Sequence, residues 1–188
     1  DDLARRLHAA PQGTQKFLIT ESLFSMDGDF APLSDYAELC RATQTVLIVD
    51  EAHAVGVYGK RGSGWIEHTG TGDEVFLSVD TAGKALGVAG AFVCGPTWAM
   101  DYVIQRARPF MFSTAPPPAL SAALDASLDV IANEPERRHR VQELSMALRV
   151  MLTERGLNIG GSGSQIVPII LGENGRAKAV SAELQPEA

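Results

Sequence analysis

The chain has 188 residues, 45% hydrophobic and 21% charged, with 18 Gly and 10 Pro. That balance excludes a disordered or collagen-like chain and allows one full domain, or one with part of a second. A net charge of −7, with no basic run longer than Arg137-Arg138-His139-Arg140, argues against nucleic acid and anionic membranes as partners. The two cysteines, Cys40 and Cys94, form no CxxC pair and read as buried free thiols. No apolar run approaches the ~18 residues of a membrane span, and the amino end lacks the basic-then-apolar order of a signal peptide, so a cytoplasmic location is expected.

In chain order, residues 3–10 read as a helix stopped by Pro11 and Gly13. With neither an initiator Met nor a cap ahead of that helix, the chain reads as a piece of a longer protein. Residues 16–21 and 46–50 are short apolar strands expected to be buried on both faces. Between them Ser34 is the expected N-cap of a helix through Tyr36, Leu39 and Cys40, which makes a βαβ unit. Residues 75–79 and 91–94 are two more strands. After Gly95-Pro96 the pattern turns helical over 98–106, 119–131 and 135–155, the last with Val141, Leu144, Leu148 and Leu152 on one stripe. Four of the ten prolines fall in residues 108–118, which predicts an extended connection. A turn-rich break over 156–163 precedes a final strand at 166–171. A larger unit over 1–133 and a smaller one over 134–188 follow from this order.

Polar chemistry gathers at the strand ends. Asp50-Glu51-Ala52-His53 suggests the magnesium-holding pair of a nucleotide hydrolase, but no GxxxxGK[ST] loop precedes it. His53 and Glu51 lack the second His that a zinc site needs. Gly59, Gly62 and Gly64 match a dinucleotide fingerprint only loosely and read better as a close-packed loop. What remains is Ser25, Asp50, His53, Thr81 and Lys84, each at or beyond the carboxyl end of a strand, the edge where open α/β sheets bind ligands. An Asp there needs a cation or a proton donor, and a protonated ring nitrogen fits. Lys84, flanked by Gly83 and Gly87, can approach a flat aldehyde cofactor and form a Schiff base from its neutral amine. Taken singly, each of these residues is ordinary surface or loop chemistry; their shared edge is the argument.

Three segments in order resemble the α-oxoamine synthases, a family that depends on pyridoxal 5'-phosphate (PLP): Phe24-Ser25-Met26-Asp27-Gly28-Asp29, Asp50-Glu51-Ala52-His53-Ala54-Val55-Gly56, and Thr81-Ala82-Gly83-Lys84-Ala85-Leu86-Gly87. The resemblance implies an α/β fold of the fold type I PLP-dependent transferases, here a partial large domain with a mostly parallel sheet and the start of a small C-terminal domain. It implies that Lys84 holds the cofactor and moves the substrate's α-proton. By the same resemblance Asp50 pairs with the ring nitrogen, His53 and Ser25 bond the phenolic oxygen, and Thr81 holds the phosphate; no metal is implied.

Two further segments, Phe112-Ser113-Thr114-Ala115-Pro116-Pro117-Pro118-Ala119 and Gly161-Ser162-Gly163-Ser164-Gln165-Ile166-Val167-Pro168, look most like members that act in biotin synthesis. Such members condense L-alanine with a pimeloyl thioester, carried on coenzyme A or a carrier protein. The alternatives are a relative that takes glycine and a shorter acyl group, or a remnant that kept the sheet and lost the chemistry; the intact five residues argue against the remnant. The family also implies a homodimer, with Ser113 and Thr114 reaching the neighbouring cofactor. The chain starts after the family's glycine-rich phosphate grip and ends at Gln185-Pro186-Glu187-Ala188, before its carboxylate-binding arginine. The piece alone is therefore expected to be inactive.

Overall fold

The computed structural model describes residues 2–11 and 13–185; Asp1, Gln12 and the closing Pro186-Glu187-Ala188 lie outside the described residues. Four strands form one sheet in the order β1-β2-β3-β4: β1 (Lys16–Glu21), β2 (Thr45–Asp50), β3 (Val75–Thr81) and β4 (Ala91–Cys94). The first three are parallel and β4 runs antiparallel to β3. Registers of Glu21 with Asp50 and of Asp50 with Val79 bring the carboxyl ends of the three parallel strands to one edge. The candidate site is built on that edge.

The helix α1 (Asp2–Ala9) precedes β1, and α2 (Leu33–Thr43) forms the crossover to β2. Leu47 and Val49 of β2 pack with Ala31 and with Leu33, Ala37 and Cys40 of α2 in the first core cluster. Each fully buried Leu or Val contributes roughly 1.5–3 kcal/mol through its removal from water. A short helix, α3 (Trp65–Thr69), lies between β2 and β3. Its Trp65 stacks on Phe30 at 3.9 Å, and Tyr58 meets both rings edge-on at 5.0 and 5.4 Å, closing a second cluster with Leu23, Ala54 and Val57. Val55, Ala82 and Leu86 make a third, which joins the turns after β2 and β3. Beyond β4 come α4 (Thr97–Arg106), α5 (Arg108–Met111), α6 (Pro118–Asn133), α7 (Pro135–Glu154) and α8 (Asn174–Leu184).

Several expectations need correction. Phe17 and Ile19 share one face of β1, and that face is left open, at 56% and 71% exposure, in place of burial on both faces, while Leu18 on the other face packs against the core. α2 begins at Leu33 after Pro32, and no side chain caps it; Ser34 sits inside the first turn. Residues 108–118 are not wholly extended, because Pro109 falls in the first turn of α5, where its missing N–H costs nothing. No strand forms at 166–171 among the described residues. Pro168 has no N–H to give a ladder, and the run is held by isolated bonds such as Ile170 N–H to the Asn158 carbonyl at 2.8 Å. Cys40 is buried, but Cys94 on edge strand β4 is exposed. On α7, Val141, Leu144 and Leu148 are exposed. The buried positions of α7 are Arg138 and Ser145, on the face from which Arg138 donates to the Lys60 carbonyl and Gln142 to the Val57 carbonyl.

Candidate functional site

Asp50 is the last residue of β2, and its carbonyl still accepts the Ser22 N–H at 2.9 Å while Glu51 N–H reaches the Val79 carbonyl at 2.8 Å. The ladder thus continues one residue past the strand and fixes where the side chain leaves the sheet. Asp50 Oδ1 accepts the Ala52 N–H at 2.8 Å, whereas Oδ2 has no hydrogen bond among the described residues. The result is a half-buried carboxylate with one oxygen oriented and the other available. A carboxylate so placed favours a cationic N–H donor over water.

Three residues on, His53 is half-buried in the same turn. Burial lowers its pKa first, the positive charge of Lys84 lowers it further, and Glu21 and Asp50 pull it up. The net shift is downward, so His53 is a neutral imidazole at neutral pH, able both to donate and to accept. Glu21, at the end of β1, accepts the Ser25 N–H on Oε2 at 3.1 Å and so holds the exposed turn that carries Ser25.

Thr81 ends β3, and Lys84 follows in an exposed turn closed by Gly87 N–H on the Lys84 carbonyl at 3.1 Å. Lys84 Nζ lies 3.4 Å from Thr81 Oγ1 and forms no ion pair among the described residues. A side chain built at Gly83 or Gly87 would meet nothing within 4 Å, so the amine is open to a flat ligand. Asp50, His53, Thr81 and Lys84 are thus gathered at one edge, with Ser25 on the neighbouring turn. Ser113 and Thr114, by contrast, lie exposed after α5, and no bond ties them to this edge among the described residues.

Beneath the edge sits a residue that motif reading set aside. Glu51 is 1% exposed and accepts the Trp65 and Ile66 N–H groups at 2.8 and 2.7 Å. Burial pushes its carboxyl up to about 7 against those two bonds, and the buried Asp80 adds to the rise. Glu51 therefore bolts the turn after β2 to the start of α3. Sequence spacing pointed to Glu51 only as a metal ligand. Among the described residues no group of three or more His, Cys, Asp and Glu is arranged to hold a metal, and no helix is long and apolar enough to cross a membrane.

The donor set suits a group with a cationic ring nitrogen, a phenolic oxygen, an aldehyde and an anionic tail. A free carboxylate oxygen, a neutral imidazole, an open amine and a hydroxyl stand along one edge. Comparison with known proteins agrees in kind. The family model described as aminotransferase class I and II matches residues 1–188. An 8-amino-7-oxononanoate synthase from Anaeromyxobacter dehalogenans (strain 2CP-1) is 44% identical over 180 residues, 95% of this chain and 45% of the relative. A serine palmitoyltransferase variant from S. paucimobilis, solved with PLP and myriocin bound, superposes with a TM-score of 0.87 at 28% identity, covering 93% of this chain and 46% of that one. The 8-amino-7-oxononanoate synthase structure from Francisella tularensis gives 0.79 at 28% identity, covering 97% and 53%. The chain spans about half the length of these relatives.

Proposed function

The chain belongs to the aminotransferase class I and II family, and from that premise we propose that it supplies the lysine side of a PLP site in an acyltransferase. Its fold is that of the fold type I PLP-dependent transferases. The reaction we assign is the decarboxylative condensation of L-alanine with a pimeloyl thioester, on coenzyme A or a carrier protein, to give 8-amino-7-oxononanoate for biotin. The relatives' names support the product. The observation that carries the reading is the Lys84 amine, 3.4 Å from Thr81 Oγ1 and without an ion pair among the described residues, on the same sheet edge as the Asp50 carboxylate, whose Oδ2 has no hydrogen bond among them.

Lys84 would hold the cofactor through its amine, and Asp50, with one oxygen free of hydrogen bonds among the described residues, would pair with the ring nitrogen. His53 and the Ser25 hydroxyl would bond the phenolic oxygen, and the Thr81 hydroxyl would bond the phosphate. When bound, PLP supplies the electron sink for charge developing at the amino acid's α-carbon. The chain's own work is to orient and to move protons. With PLP bound, Lys84 Nζ would be the base that takes the amino acid's α-proton and the acid that returns it. His53, held neutral by burial and by the charge of Lys84, keeps a donor for the phenolic oxygen without adding a second cation beside the lysine.

In this reading residues 1–133 belong to the cofactor-holding unit and 134–188 begin a smaller one. The partner is a second copy of the chain, and the location is the cytoplasm. The test is borohydride reduction of the full-length protein with PLP, followed by mass spectrometry of its peptides. A pyridoxyl group on Lys84 is expected, with turnover falling about 10³-fold or more in Lys84→Ala. Protein left colourless and unlabelled by PLP would reduce the assignment to a fold without its chemistry. Glycine with acetyl-CoA outpacing alanine with pimeloyl-CoA would move it to another synthase of the same family.

A further inference from the structure

The His53 ring has no hydrogen bond among the described residues. Its place is therefore set by its backbone, and the His53 carbonyl accepts one side-chain bond, from Gln165 Nε2 at 2.7 Å across 112 positions of chain. The other end of that amide is fixed as well, because Tyr58 donates its hydroxyl to Gln165 Oε1 at 2.8 Å. Both bonds are half-buried, where an unmade polar contact costs more than a made one gains. Tyr58 is itself wedged edge-on against Phe30 and Trp65 in the second core cluster. A rigid aromatic therefore aims an amide that holds the turn carrying His53.

The segment that bears Gln165 grips the other turn of the site too. Gly163 N–H reaches the Gly28 carbonyl at 3.1 Å, and Ser162 Oγ caps the Ile166 carbonyl at 2.5 Å. A side chain at Gly28, whose φ is +70°, would fall 2.2 Å from that carbonyl oxygen, so only glycine permits the approach. Arg149 of α7 anchors the segment through the Ser164 carbonyl. One irregular stretch thus ties the Ser25 turn to the His53 turn without contributing a side chain to the ligand edge.

We infer that Gln165 is a positioning residue, which acts through the His53 carbonyl to hold the His53 imidazole in place beside Asp50 and Lys84. The inference rests on the proposed function only for its consequence in turnover; the positioning itself belongs to the cofactor-free chain. Partly buried by its turn, His53 titrates low, and the charges that act on it are Lys84, Glu21 and Asp50. None of them changes when Gln165 is replaced, so a change in His53 titration reports the ring's position and hydration.

The experiment is NMR titration of the histidine rings in the full chain without cofactor, with the His53 signal assigned by its loss in His53→Asn. Gln165→Met keeps the volume and removes both hydrogen bonds. It is expected to raise the His53 midpoint towards the ordinary histidine value as water reaches the ring. Tyr58→Phe frees one end of the amide and is expected to shift the midpoint the same way by less. A Gln165→Met chain that melts earlier with its His53 midpoint unmoved would show a merely structural role and overturn the inference. Should Gln165→Met fail to fold, Tyr58→Phe decides alone: a rise supports the positioning and an unchanged midpoint ends it. Because neither reading needs PLP, failure to label Lys84 would remove the proposed function and leave this result standing.

Discussion

The turns after β2 and after β3 both carry residues of the proposed site, yet they are built in opposite ways. After β2, Glu51, Ala54, Val55, Val57 and Tyr58 are all buried, and Glu51 and Gln165 pin the backbone from two sides. After β3, Ala82 and Leu86 dip into the core while Gly83, Lys84, Ala85 and Gly87 stand exposed. The difference suits two tasks. A group that must hold a charge or a hydrogen bond at a fixed point works best when its surroundings are rigid before the ligand arrives. An amine that must bond a ligand, leave it and return needs room, and an open glycine-flanked turn supplies that room.

The firmest part of the fixed turn is also its most costly, and pH exposes this. The Glu51 carboxyl titrates near 4.5 when unfolded and about 7 when folded, so the native state holds the extra proton between those values. A raised acid contributes stability that is fully present below pH 4.5 and is lost as pH rises through 7. The loss is at most about 3 kcal/mol. Glu51→Gln, which cannot ionise, should flatten that decline, read as denaturant midpoints at pH 4.5, 6 and 7.5. A parent chain with no decline over this window would mean that the turn is wetter than its burial indicates.

A smaller effect comes from Gly64, which caps α3 at φ +120° beside the same carboxyl. A Cβ there would sit 2.2 Å from Glu51 Oε2. Gly64→Ala should therefore combine backbone strain with displacement of the two Glu51 hydrogen bonds, costing about 2 kcal/mol. Thermal melting of the cofactor-free chain should drop by roughly 4–8 °C.

How much of this was legible beforehand follows from what each feature depends on. Strands β1 to β4 and the long helices were readable because their apolar runs and periods are local. The clustering of Asp50, His53, Thr81 and Lys84 was readable because parallel strands of similar length end at one edge. Features that depend on a distant partner were not. Phe17 and Ile19 read as buried, since nothing in their run shows whether another element covers that face of the sheet. Residues 166–171 read as a strand, since an apolar run does not reveal whether a neighbour exists to pair with it. Gln165 was quoted within a motif, but its bond to His53 spans 112 positions and left no local signal. Glu51 offered the one signal that could have been used: an acid beside a strand-end Asp needs a partner, and here backbone N–H groups take the place of a metal.

Gly87 completes the comparison from the open side. Its φ of +66° matches the left-handed region that Gly64 exceeds, but a Cβ at Gly87 would meet nothing within 4 Å. Gly87→Ala should therefore cost only the left-handed penalty of about 1 kcal/mol, partly offset by the lower entropy of the unfolded chain. The melting temperature should fall by no more than about 3 °C. The Lys84 carbonyl keeps its bond from the residue-87 N–H, so the amine stays on the same turn and borohydride labelling of Lys84 should continue. Equal losses at positions 64 and 87 would mean that backbone strain alone sets the cost at both. The contrast between a packed turn that holds and an open turn that admits would then have no energetic basis.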